Sequence, residues 1–160
     1  MAELPYRQNV CMLVYDGSSH LFLGERKGCP GVWQFPQGGV KKHQTKEEAV
    51  VEELHEELGA EPFHFQIVKK LRATHRYDWI EPPSYAKSKW RGQEQSFWLV
   101  EFLGDDSDIV LDRFEPEFMN WRWVTSNEVR TLAEPIRQAG YALPLREFDD
   151  FLLLKDEGIF

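Results

Sequence analysis

The chain has little cysteine. Two residues of 160, Cys11 and Cys29, cannot make a disulfide framework, which sets aside the small stapled secreted folds and fits a reducing compartment. It has no long apolar run, and none approaches the roughly 20 residues that a membrane span needs. The opening stretch "MAELPYRQNV" lacks the apolar core of a secretory signal. The expectation is a soluble, cytoplasmic protein that makes no membrane contact. An excess of positive charge is also missing. The formal net charge is −8, which argues against a sequence-independent nucleic-acid binder that displaces counterions with basic surface. It does not argue against a metal-dependent enzyme for phosphates, because bound cations reverse the local field. There are no repeats and no low-complexity tract. His43, His55 and His75 show no metal-ligand spacing and receive no role.

What is present is the composition of a folded globule. Hydrophobic residues make up 42% and aromatics 14%, and the length predicts a single domain over residues 1–160. "VCMLVY" (Val10 to Tyr15) reads as a buried strand, with Cys11 as a small core residue. "DGSS" is a turn, and "LFLGER" (Leu21 to Arg26) returns as the second arm of a hairpin. "VWQF" is a short strand stopped by Pro36. Further on, "FHFQIVKKLRAT", "QSFWLVEF" and "MNWRWV" read as strands. Ser126 is the expected N-cap of a helix over "NEVRTLAEPI", and a last helix is expected from about Leu145 to Leu154. Trp33, Trp98, Trp121 and Trp123 are expected in the core. The segment Arg76 to Gly92, rich in Pro, Ser and charge, is long for a plain connection, which favours a functional loop. The fold class is α+β, a mixed sheet covered by helices.

The clearest helix runs from Lys46 to Leu58. Thr45 and Glu48 form a Thr-x-x-Glu capping box, and Gly59 stands where a terminating glycine belongs. Val50, Val51, Leu54 and Leu58 gather on one face, while Glu53, Glu56 and Glu57 share another arc. Like charges three or four residues apart destabilise a helix. Either water screens them on an idle surface, or a cation sits among them. Magnesium takes a few carboxylates and completes its shell with water and substrate phosphate. Gly38 and Gly39, just before this helix, let backbone approach a ligand closely or adopt positive φ.

This stretch resembles the Nudix box, G-x5-E-x7-R-E-U-x-E-E-x-G-U, where U is a bulky apolar residue. Gly38, Glu53, Leu54, Glu56, Glu57 and Gly59 match it. The resemblance extends to "YRQNV", "WQFPQGGV", "GQEQSFWLVEF" and "PEFMNWRWV". In order and content these look like the branch that holds bacterial RNA pyrophosphohydrolases and asymmetric diadenosine tetraphosphate hydrolases. Two positions inside the box depart from it. Gln44 stands in place of Glu, and Glu52 in place of Arg; Ala60 is also smaller than the usual last residue. The family's acid–base brace is therefore absent, although a Gln and a Glu can still share a hydrogen bond.

The resemblance implies a Nudix-type α/β/α sandwich. It makes Glu53, Glu56, Glu57 and Glu117 catalytic carboxylates and metal ligands, with the Gly38 carbonyl as a loop ligand. Arg7 and Arg26 are expected near substrate phosphate, with Gln37, Tyr77, Lys89 and Gln95 as further substrate contacts. The implied cofactor is Mg2+, with Mn2+ as the other candidate. The implied partner is a nucleoside polyphosphate or an RNA 5′ end, with no obligate protein partner. Acidity and the lack of a basic tail lean the reading toward a small dinucleotide such as diadenosine tetraphosphate. Triphosphorylated RNA ends are the alternative. A catalytically weak nucleotide-binding module, suggested by Gln44 and Glu52, and a structural domain with a solvated acidic helix complete the alternatives.

Overall fold

The computed structural model describes residues 3–158. Seven strands form one mixed sheet: β1 (Tyr6–Tyr15), β2 (Leu21–Arg26), β3 (Trp33–Gln34), β4 (Gln37–Gly39), β5 (Phe65–Asp78), β6 (Gly92–Phe102) and β7 (Phe118–Val124). Three helices accompany them: α1 (Lys46–Leu58), α2 (Ser126–Leu132) and α3 (Pro135–Asp156). The main path is β3-β2-β1-β6-β5, with β4 on β1 and β7 on β2. β1 and β6 run parallel, and the other pairs are antiparallel.

β1 explains the layering. Its residues from Asn9 to Tyr15 are all buried, as expected of a strand covered on both faces. Alternation then sorts its side chains. Cys11, Leu13 and Tyr15 pack with Tyr141, Leu145, Phe148 and Phe151 of α3. Val10, Met12 and Val14 pack with Val50, Leu54 and Leu58 of α1. One apolar run thus supplies two cores, and the expected α/β/α sandwich is what the chain forms. Burial pushes the Cys11 thiol up, away from reactivity.

α1 forms where the sequence places it. Thr45 Oγ1 accepts from the Glu48 N–H at 3.1 Å, and Glu48 Oε1 accepts from the Thr45 N–H at 3.0 Å. Gly59 closes the helix at φ 78°. The C-terminal helices differ from expectation. Thr125, not Ser126, caps α2. α2 stops at Leu132 because Ala133 turns extended and Glu134, the residue before Pro135, is kept out of the helical region. Pro135 then opens α3 at its first turn, ten residues ahead of the expected start at Leu145. Gly140 and Pro144 lower helix propensity there, but buried Tyr141, Leu145, Phe148 and Phe151 outweigh it. Trp33 and Trp98 are buried as expected, whereas Trp121 and Trp123 are only partly buried at the edge of the α1-side core. Among the described residues no helix is long and apolar enough to cross a membrane.

Candidate active site

Gly38 and Gly39 lie in a strand, not a loop. β4 pairs antiparallel with β1, placing Gly38 opposite Val10 and Gly39 opposite Asn9. Neither glycine has positive φ. Their role is close approach. A Cβ on Gly38 would fall 2.2 Å from Cδ of Glu53, and one on Gly39 would fall 2.1 Å from a terminal nitrogen of Arg7. The absence of two methyl groups lets a carboxylate and a guanidinium settle on the same backbone ribbon.

Around this ribbon is a pocket of about 550 Å³. Its acidic wall is Glu53, Glu56 and Glu57 from α1, with Glu117 from the segment before β7. The Glu117 carbonyl accepts from the Lys27 N–H at 2.9 Å, which anchors that segment beside β2. Its basic wall is Arg7, Arg26 and Arg137. Expected contacts Gln37 and Gly38 line it too. Gly38 does so as a strand residue, so the expected free loop carbonyl is a sheet carbonyl.

The acids are crowded. Burial, with the Glu56 and Glu52 charges adding to it, pushes Glu53 up to about 7. Glu57 is pushed well above the usual carboxylate range, by burial first and then by Glu53 and Glu117, against a backbone hydrogen bond from Gln37. Three buried polar atoms of this pocket lack a partner: Asn9 Nδ2, Gln34 Oε1 and Glu57 Oε2. Buried polar groups are rarely left so. A cavity lined by carboxylates, one of which carries an unpaired buried oxygen, has the donor chemistry that a hard divalent cation takes. Among the described residues no three acidic, His or Cys side chains already form a ready-made cage. An ion that keeps several waters and borrows substrate phosphate oxygens needs none. The residues therefore fit such an ion, which Glu53, Glu56 and Glu57 would hold, with Glu117 facing them across the pocket.

Next to the acidic pocket lies an aromatic one of about 450 Å³, lined by His75, Tyr77, Trp79, Gln95, Ile136, Arg137, Gly140 and Tyr141. Arg137 borders both. Gln95 Nε2 donates to Asn9 Oδ1 at 2.9 Å and to Gln37 Oε1 at 3.0 Å, joining the two pockets through the sheet. Tyr77 and Gln95 thus belong to the aromatic side. Tyr77 accepts at its hydroxyl from Gln93 at 2.9 Å, and Gln93 accepts from Arg7 at 2.9 Å. Lys89 is the exception. It sits over the Trp90 ring at 5.9 Å and lines neither pocket.

Several residues escaped the sequence reading. Arg137 is one. Glu134 Oε2 accepts from Arg137 Nε at 3.0 Å and also lies 3.9 Å from Arg26, so one acid orients two cations. The Glu134 N–H donates to the Trp33 carbonyl at 2.9 Å, which docks the start of α3 on β3. No local motif signals that placement. Asn9 and Gln34 did carry a signal, as polar residues inside apolar strands. Tyr85 lines the acidic pocket from the long connection, where Arg7 lies 5.1 Å from its ring. His75, set aside for want of ligand spacing, lines the aromatic pocket.

The family model described as the NUDIX domain matches residues 5–144. The chain belongs to the Nudix family. This Nudix hydrolase is 34% identical over 155 residues to the RNA pyrophosphohydrolase of Roseobacter denitrificans, covering 95% of this chain and 97% of the relative. It is 32% identical over 153 residues to the RNA pyrophosphohydrolase of Rickettsia canadensis, covering 94% of each. Among solved structures it resembles a C. elegans Ap4A hydrolase complex, with a TM-score of 0.63 at 18% identity over 91% of this chain and 98% of that one. An E. coli dihydroneopterin triphosphate pyrophosphohydrolase gives 0.63 at 17% identity over 86% and 96%. These structures share the fold. Together the family model and the full-length relatives make this Nudix protein a pyrophosphohydrolase.

Proposed function

We propose that this protein removes pyrophosphate from triphosphorylated RNA 5′ ends in a magnesium-dependent reaction. The observation that carries the chemistry is the single pocket where four carboxylates, one with an unpaired buried oxygen, face three arginines. The substrate choice is supported by relatives, named RNA pyrophosphohydrolases, that match nearly end to end. This reverses the lean toward diadenosine tetraphosphate. That lean rested on a net charge of −8, but a 5′-end enzyme needs only a few phosphate contacts, and Arg7, Arg26 and Arg137 supply a local basic wall.

A divalent ion held here would offset the charge of the acids and of the phosphate chain and would make water a better nucleophile. Glu53, Glu56 and Glu57 would hold it on α1, with the Gly38 backbone beside them. Arg7, Arg26 and Arg137 orient the phosphate chain with planar donor forks. Glu117 faces the α1 carboxylates and takes the proton of the attacking water. Water adds to one phosphorus of the chain, a phosphoanhydride bond breaks, and pyrophosphate leaves. The aromatic pocket receives a base, whose face suits Tyr77, Trp79 and His75.

The reading of a weak binding module loses its support, because Gln44 and Glu52 are joined: Gln44 Nε2 donates to Glu52 Oε2 at 2.6 Å. The test is purified protein with magnesium against triphosphorylated RNA, diadenosine tetraphosphate and nucleoside triphosphates, with products identified by mass. The proposal expects monophosphorylated RNA and pyrophosphate as the fastest products. Faster cleavage of diadenosine tetraphosphate restores the dinucleotide reading.

A further inference from the structure

The two departures from the Nudix box are parts of one closed circuit. Gln44 Nε2 donates to Glu52 Oε2 at 2.6 Å, and Lys41 Nζ bonds the other oxygen, Glu52 Oε1. The Lys41 N–H donates to Gln44 Oε1 at 2.9 Å, and the Gln44 N–H donates to the Lys41 carbonyl at 3.0 Å. The turn between them is tight, with His43 at φ 66°. Both oxygens of Glu52 are engaged, and both ends of the Gln44 side-chain amide. In the box pattern the helix carries the cation and the loop the acid. Here the helix carries the acid, and Lys41 supplies the cation from the loop.

The circuit sits where positioning matters. Lys41 follows Gly39 by two residues, and Glu52 precedes Glu53, whose carboxylate packs on Gly38. Whatever pins the 41–44 turn to α1 also sets the distance between the glycine ribbon and the first acid of the pocket. A lone exposed Lys–Glu pair would hold little. In this ring the Lys41 backbone, the Gln44 amide and the Glu52 carboxylate restrict one another, so loss of one link loosens the rest.

We propose that Lys41 is a positioning residue: with Gln44 it clamps Glu52 and holds the Gly38–Gly39 ribbon against α1, a charge-inverted form of the family's brace. The kinetic consequence rests on the hydrolase reading above; the clamp itself does not.

The test compares wild type with Lys41→Met, Lys41→Arg, and the exchanged pair Gln44→Glu/Glu52→Arg carrying either Lys41 or Lys41→Met. Amide hydrogen exchange at Gly38, Gly39, Lys41 and Gln44 is read on metal-free protein. The magnesium concentration for half-maximal hydrolysis is read separately from the substrate KM. Lys41→Met is expected to speed exchange at these amides and to raise the magnesium half-saturation by about tenfold, the low end of what outer-shell partners contribute to a metal site. Substrate KM stays near wild type, and Lys41→Arg restores both readouts. In the exchanged pair, Lys41→Met changes neither. Unchanged exchange in Lys41→Met, or an equal effect in the exchanged pair, overturns the clamp. If the exchanged pair does not fold, Gln44→Ala serves as the background, where full additivity with Lys41→Met overturns it. If no polyphosphate is hydrolysed at all, the functional reading fails while the exchange data still decide the clamp.

Discussion

Glu53 rests its carboxyl carbon 2.2 Å from where a Gly38 Cβ would stand. Because Gly38 lacks positive φ, its backbone accepts alanine, and the cost falls on the carboxylate. Gly38→Ala is expected to lower kcat/KM by about 100-fold, the scale of an ångström-sized misplacement in an active site. Its thermal midpoint should move by only a few degrees. Steady-state kinetics beside a melting curve check this, and wild-type turnover would show that Glu53 tolerates displacement.

The metal-free protein should lose stability as pH rises. Glu53 titrates at about 7 when folded against an ordinary 4.5, so the native state binds its proton more tightly than the unfolded state does. That contribution is complete below about 4.5 and is lost progressively up to about 7. Glu57 acts in the same direction. Urea denaturation in chelator from pH 5 to pH 8 should show a falling midpoint, flattened in Glu53→Gln.

Glu57 tests the same crowding at fixed pH. Its buried carboxylate faces Glu53 and Glu117, so Glu57→Gln should raise the metal-free melting point at pH 8, by about 2–4 °C per kcal/mol gained in a chain of this size. The same substitution should shrink the rise that saturating magnesium gives wild type, since a ligand stabilises only the state that binds it. Thermal melts with and without magnesium separate the two effects.

How much of this was legible in the sequence depended on range. Thr45, Glu48 and Gly59 announced α1 locally, and the continuous apolar run from Val10 to Tyr15 announced a buried strand. Helix periodicity put Glu53, Glu56 and Glu57 on one arc, but a role for them, and for Glu117, came only with the Nudix resemblance. Glycine's purpose at Gly38 and Gly39 was not legible, because close approach to Glu53 and Arg7 is a tertiary fact. Nor was Arg137. It reaches the site from α3, whose start is docked on β3 by the Glu134 N–H bond to the Trp33 carbonyl. Lys41 was invisible for a similar reason: its partner, Glu52, lies eleven residues away across a turn.

Arg137 borders both pockets, so its loss should weaken substrate binding more than chemistry. Arg137→Met is expected to raise KM by about tenfold or more, as for a lost hydrogen bond to a charged group, with a smaller change in kcat. Initial-rate kinetics on triphosphorylated RNA decide it. An unchanged KM would remove Arg137 from the substrate site.

The most direct measurement is pyrophosphate release from triphosphorylated RNA during a magnesium titration, with wild type beside Glu53→Gln and Glu56→Gln. The account predicts release that rises with magnesium, stops in chelator and falls to background in both variants. Release that ignores chelation, or that survives both substitutions, would contradict it.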